Sequence, residues 1–281
     1  MMADVNWTEH KLEILHRYLN AYTTALKNQR FKLMYVDAFA GTGTVELRTN
    51  DLDGQKFIDG SARIAASISK KLFDKLIFLE KNPKRCNDLE KLKDEPEHKD
   101  RDIEVENTDA NIYLRKLCCN WKDPCADWRG VLFLDPFATQ VEWETVEAVA
   151  STRALDTWIW FPVSAISRLL PVKKRPEDVR PKWAERLTKV FGDKSWETLY
   201  RANPQPNLFG DPSSVRDPGV RSIRNAYKEK LRGAFGNRLL EDSRTFTNSK
   251  NVPLFDLIFC AGNEKGIGPA HRIASHLLKK M

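Results

Sequence analysis

The chain has 281 residues, 41% hydrophobic and 30% charged, which suits one large core in a single elaborated soluble domain. Its longest apolar runs, such as "VLFL", fall far short of the roughly 18 residues of a membrane span. The first fifteen residues lack a basic start followed by an apolar stretch, so no secretory signal is expected. Five cysteines, an odd number, argue against a disulfide framework, and a cytoplasmic protein is expected.

The formal net charge is +7, unevenly spread. From Val163 to Lys250 there are 19 Lys plus Arg against 10 Asp plus Glu, or +9, while the remainder has 27 against 29, or −2. A basic surplus confined to one segment suits a polyanion such as nucleic acid; the plainer reading is a set of solvated basic helices.

In chain order, Leu12, Leu15, Leu19, Tyr22 and Leu26 recur at helical steps and predict an amphipathic helix over 6–27. "FKLMYVDAFAG" reads as a buried strand, followed by a polar loop reaching Gly60. Ser61 is expected to cap a helix over 62–72. "KLIFLE" is a second strand, followed by a helix over 83–93 that opens on proline. "DIEVEN" is a third strand and 110–119 a third helix. "GVLFLDP" is a fourth strand, 143–151 a helix and "DTWIWFP" a fifth strand. Beyond Pro162 the pattern turns helical, over 164–170, 181–191, 196–201 and 221–235, with a Pro/Gly/Asn-rich loop before the last. "SRTFTNS" and "PLFDLIFCAG" read as paired strands, and 269–279 as a closing helix.

Strands alternating with helices imply βαβ units and a parallel sheet. Five such steps and a strand pair give the order of an α/β, Rossmann-like class I methyltransferase sheet, mostly parallel with one antiparallel strand. A helical insertion then falls between the fifth and sixth strands. The expected organisation is an N-terminal helix plus core over 1–162, a basic insertion for substrate recognition over 163–242, and completing strands and helix over 243–281.

"YVDAFAGTGTVE" carries the cofactor question. A phosphate-cradling loop needs a lysine after its last glycine, and none follows Gly43. A dinucleotide fingerprint needs a third glycine where Glu46 stands. What remains is Asp37-x-Phe39-x-Gly41-x-Gly43, in which two residues without a Cβ let the chain lie against a ligand. The structural alternative is a tight strand-to-helix turn. Glu80, closing the second strand, is placed to accept from ribose hydroxyls. Asp109, just after the third, can meet an adenine amino group or simply cap the next helix. Acids at successive strand ends, with the glycines at the first, point to S-adenosylmethionine.

The candidate chemistry lies in "FLDPFA". Amino-methyltransferases place Asp/Asn-Pro-Pro-aromatic at this strand end, where a carboxylate and carbonyl hold an exocyclic amine facing the sulfonium methyl. Asp135, Pro136 and Phe137 are therefore the catalytic candidates. The alternative is that Asp135 and Pro136 merely end a strand, with Phe137 in the core. Phe137 stands where the second proline would be and Ala138 where the aromatic would be. Cys118, Cys119 and Cys125 lack zinc-pair spacing, so no metal is expected.

Together, "WTEHKLEILHRYL", "YVDAFAGTG", "DGSARIA", "FLDPFATQVEW" and "DTWIWFPVSAISRLL" resemble the three-Cys-motif partner proteins over nearly the whole chain. The resemblance implies a Rossmann-like fold, a cofactor-type pocket and, as a possible partner, a radical-S-adenosylmethionine-like protein that bears the three cysteines. It also implies that Lys11 leans over the cofactor site.

Two functions stand. One is a methyltransferase acting on adenine N6 or guanine N2 of RNA or DNA. Its basic segment would grip phosphates through Arg180, Lys182, Arg186, Lys189, Arg221, Arg224 and Lys228, with Trp183, Trp196, Tyr200 and Tyr227 interleaved. The other is a non-catalytic or cofactor-binding partner module.

Overall fold

In the computed structural model, residues 5–48, 55–119, 121, 127–171, 175–202, 214–216 and 219–280 are described. The chain opens with α1 (Val5–Ala25) and β1 (Lys32–Asp37), followed by β2 (Thr44–Arg48) and β3 (Gln55–Asp59). Next come α2 (Ser61–Ala66), β4 (Lys75–Leu79), α3 (Pro83–Glu90), β5 (Ile103–Glu106) and α4 (Ala110–Cys119). β6 (Trp128–Leu134), α5 (Trp143–Thr152) and β7 (Leu155–Phe161) complete the alternating part. Then follow α6 (Val163–Leu169), α7 (Pro181–Phe191), β8 (Tyr200–Ala202), β9 (Ser214–Arg216) and α8 (Val220–Phe235). The chain closes with β10 (Leu239–Thr247), β11 (Pro253–Cys260) and α9 (Ile267–Lys280).

Seven strands form one sheet in the order β10-β11-β7-β6-β1-β4-β5. Neighbours from β7 to β5 pair in parallel, and β11 runs antiparallel to both β7 and β10. This is the class I methyltransferase order expected from the strand pattern. All seven residues of β7 are buried, as befits a strand covered on both faces. Alternate residues feed two cores. Met34 and Val36 join α4 to α8 on one side, and Leu33 and Tyr35 join α1, α2, α3 and α9 on the other. The carboxyl ends of β1, β4, β5, β6 and β7 therefore share one edge, where open α/β sheets bind ligands.

Several local expectations are corrected. The polar loop after the glycines holds a hairpin, with Val45 opposite Ile58 and Leu47 opposite Lys56. Ser61 is the first residue inside α2 rather than its cap; Gly60 is the N-cap, and the helix stops at Ala66. The expected helix over 196–201 is a 3₁₀ turn, Lys194–Leu199, leading into β8. Most of the Pro/Gly/Asn-rich loop, 203–213 and 217–218, and Cys125 lie outside the described residues. β10 starts at Leu239, inside the segment read as insertion, because Leu239 pairs with Cys260. No described helix is long and apolar enough to cross a membrane.

Candidate functional site

The turn after β1 is laced to strands on both sides. Ala38 N donates to Phe133 O (3.1 Å) on β6, and Ala40 N donates to Leu79 O (3.0 Å) on β4. Gly41 and Gly43 take φ of 65° and 76°, left-handed values that favour glycine. A Cβ on Gly43 would stand 3.2 Å from Leu89 Cδ1. At Gly41 the corresponding space is open within 4 Å, leaving room for a ligand against the backbone. Gly60, which the sequence reading passed over, donates its N–H to Gly43 O at 2.9 Å and ties the hairpin's exit to the turn.

Asp37 is fully buried. It accepts from Phe39 N and Tyr35 Oη, both at 3.2 Å, and from the Ser61 hydroxyl. Burial pushes its carboxyl up to about 6 against the pull of those donors, and the nearby Asp135 charge adds to the rise. Asp37 thus fastens the turn from beneath, and Phe39 supplies a backbone N–H to it. Ser61, expected to cap a helix, spends its hydroxyl here.

Glu80 follows β4. Its Oε1 accepts from Asn82 N (2.7 Å), while its other oxygen has no partner among the described residues. Asp109 follows β5 and caps α4 through Asn111 N (2.9 Å); Lys81 donates to its other oxygen at 3.0 Å. Burial would raise the Asp109 carboxyl, but the donors Lys81 and Asn111 outweigh it and hold it below the usual range. The capping role and the strand-end placement are therefore both present. Asn111, which sequence reasoning missed, donates to Gln140 O (2.9 Å) and accepts from Glu142 N (3.0 Å), joining α4 to the loop after β6.

That loop carries Asp135, Pro136 and Phe137. Asp135 Oδ2 accepts from Lys11 Nζ at 2.5 Å, across 124 positions of sequence. Lys11 is 7% exposed, and its ammonium lies 5.0 Å from the Trp160 ring centre and 5.5 Å from that of Trp7. Lys11 thus stands at the end of β6, with Asp135. Trp7 stacks on Trp160 (5.9 Å), and Phe255 lies against both rings. Pro136 is buried, but Phe137 is 87% exposed, so it does not pack in the core. Gln140 Oε1 accepts from Phe137 N (2.8 Å), and Ala138 holds φ 62°. Trp7 was within reach of the sequence, since it stands four residues before Lys11 on one helix face.

A cavity of about 10 Å³ lies behind the loop, lined by Pro136, Ala138, Trp160, Val190 and Tyr227, and has room for about one water. A larger one, about 470 Å³, lies between the hairpin and α3, lined by Thr44, Phe57, Arg63, Lys91 and Glu95. It contains none of the site residues expected from sequence. No group of metal-ligating side chains occurs among the described residues.

The basic segment is partly structural. Trp196, Tyr200 and Tyr227 are at most 8% exposed and belong to the core, so none is free to stack on a base. Tyr227 stacks on Phe161 at 4.0 Å. Lys228 is buried and donates to Glu241 O (2.7 Å), and Arg224 donates to Thr245 Oγ1 (3.2 Å). Lys228 is therefore removed from the set expected to grip phosphates, whereas the Arg224 side chain keeps 28% exposure. Arg180, Lys182, Lys189 and Arg221 are exposed, and Arg180 lies over the half-buried Trp183.

No family model and no curated protein matches the sequence. Among solved structures, the chain is similar to protein LPL1258 of Legionella pneumophila at 18% identity and TM-score 0.40, over 79% of this chain and 91% of that one. It is similar to an O-methyltransferase from Bacillus cereus in complex with SAH at 12% identity and TM-score 0.42, over 88% and 80%. It is also similar to an rRNA methylase from Streptococcus thermophilus at 13% identity and TM-score 0.36, over 89% and 95%. At these scores the likenesses carry no argument about chemistry; the assignment of fold rests on the strand order and pairing.

Proposed function

We propose that the protein is an S-adenosylmethionine-dependent methyltransferase acting on an exocyclic amine of a nucleobase, adenine N6 or guanine N2, in RNA or DNA. One observation carries this reading. The glycine turn after β1 is hydrogen-bonded through Ala38 N to Phe133 O, two residues before Asp135, so the turn and Asp135 leave adjacent strand ends, and Asp135 Oδ1 has no partner among the described residues. The cofactor fits the residues present. Gly41 leaves space for the methionyl part, Glu80 keeps one oxygen for a ribose hydroxyl, and Asp109 stands at the next strand end. When bound, it supplies an electrophilic sulfonium methyl. Asp135 Oδ1 and a loop carbonyl accept the two N–H groups of the amine and orient its lone pair; the gain is positioning, with no covalent enzyme intermediate. The exposed ring of Phe137 is available to stack on an unpaired base, and the exposed lysines and arginines of α7 and α8 attract phosphates.

Calorimetry with S-adenosylmethionine tests the first part, with saturable heat expected for the native chain and at least tenfold weaker binding for Glu80→Ala. No heat at millimolar cofactor would end the reading. Labelled methyl transfer to total RNA and DNA tests the second part. Incorporation unchanged by Asp135→Ala would show that Asp135 does not hold the acceptor.

A further inference from the structure

Asp135 is the carboxylate assigned above to an incoming amine, yet it already holds one. Lys11 Nζ donates to Oδ2 at 2.5 Å and leaves Oδ1 without a partner among the described residues. The surroundings of that ammonium are those of a cation slot. Two indole rings, Trp7 and Trp160, present their centres 5.5 Å and 5.0 Å away, within the range over which a ring quadrupole attracts a cation. Strand register builds the slot. Leu134 pairs with Ile159, so Asp135 and Trp160 are the next positions along β6 and β7. Helix α1 then lays Trp7 and Lys11 across that edge from the far end of the sequence. Trp160 is 1% exposed and Lys11 7%, while Trp7 is half-buried and the Asp135 side chain keeps 22% exposure, so the slot opens toward Asp135 and Trp7.

We infer that Lys11 is a specificity-determining residue: its ammonium fills the cation slot formed by Asp135 Oδ2, Trp7 and Trp160, so that the site admits a neutral planar amine and turns away alkylammonium substrates. An aliphatic amine arrives at neutral pH as a cation and needs a carboxylate free of other cations. Here it meets a carboxylate already neutralised and a second positive charge beside it. A conjugated amine of a base is uncharged and needs only an N–H acceptor, which Oδ1 provides, and its ring can lie by the exposed Phe137. This inference rests on the proposed reaction for its meaning, but the slot itself can be tested without turnover.

The test is binding of n-butylammonium chloride, followed by calorimetry against sodium chloride of equal ionic strength. Lys11→Ala vacates both the ammonium and its stem, and this variant should bind n-butylammonium at least tenfold more tightly than the native chain. Lys11→Ala combined with Asp135→Asn should return to the native level, and Lys11→Arg should stay there because the slot remains filled. Equal binding by the native chain and Lys11→Ala would overturn the inference, as would tight binding that survives Asp135→Asn. Should Lys11→Ala fail to fold, as judged by circular dichroism, Lys11→Met keeps the stem packed and methylammonium becomes the probe, with the same two outcomes. Absence of any methyl transfer would sink the proposed reaction and leave the ammonium result intact, so the two failures are distinguishable.

Discussion

The two halves of the site are built in different ways. At the ends of β1, β4 and β5, each acid is held first by a backbone N–H two residues on, Asp37 by Phe39, Glu80 by Asn82 and Asp109 by Asn111, with Ser61 and Lys81 adding side-chain donors to Asp37 and Asp109. At the ends of β6 and β7, the key acid is held by a lysine 124 positions away, among rings drawn from α1, β7 and β11. The first half is a set of local loops whose geometry follows from turns and helix caps. The second exists only when distant elements have packed. Damage to a local loop should therefore stay confined, whereas damage at Asp135 should spread to α1.

The sharpest way to break that contrast is Asp135→Ala. It strands the nearly enclosed Lys11 without its anion, and unpairing a buried ion pair costs about 3 kcal/mol once the 22% exposure of Asp135 is allowed for. Urea unfolding of this variant should show that loss; Glu80→Ala should lose less than about 1 kcal/mol. A loss at Asp135 no larger than that at Glu80 would dissolve the distinction.

The next largest effect is a pH dependence inside the local half. The Asp37 carboxyl is raised from 3.8 to about 6, so the folded chain binds this proton more tightly than the unfolded one. Its contribution to stability is full below about pH 4 and is lost as pH rises through about 6, amounting to about 2 kcal/mol between pH 4 and pH 7. Asp37→Asn removes that slope. The stability deficit of the variant should therefore be about 2 kcal/mol greater at pH 4 than at pH 7, as read by urea unfolding at both.

Smaller effects separate the two glycines. Gly43→Ala combines left-handed φ with a contact of 3.2 Å to Leu89 and should cost about 1–2 kcal/mol. Gly41→Ala meets open space, so it should cost about 1 kcal/mol while weakening cofactor binding in calorimetry more than Gly43→Ala does. The smallest change in stability belongs to Phe137→Ala, within about 0.5 kcal/mol because the ring is 87% exposed. Its loss should appear instead as about tenfold weaker acceptor binding in a filter assay, the scale of one stacked base.

How much of this was legible in the sequence divides along the same line. Asp37, Gly41, Gly43, Glu80 and Asp109 stand beside strand ends that periodicity reveals, and each of the three acids accepts from a backbone N–H two residues on; the longer ties, Ser61 to Asp37 and Gly60 to Gly43, run through the hairpin's exit and were not foreseen. The hairpin of β2 and β3 was hidden because its five-residue alternations are short and border an aspartate-rich stretch. The pairing of Lys11 with Asp135 has no local signature at all. The insertion aromatics were a different matter. Ile223, Tyr227 and Leu231 recur every four residues, and that stripe already marks an inward face, as their burial shows. Charge counts, by contrast, cannot tell an exposed Arg221 from a buried Lys228.

The long reach between Lys11 and Asp135 also sets an order of assembly. The acids and glycines of the glycine-turn half lie between Asp37 and Asp109, and most of their partners lie there too; only the tie from Ala38 N to Phe133 O and those of Asn111 wait for β6 and its loop. The other half waits for Trp160 and for Phe255 on β11, which pairs with β7 only when nearly the whole chain exists. Contacts of such separation form late, since loop closure precedes their reward. A chain emerging from the ribosome therefore frames the glycine turn well before the mouth around Asp135 can close.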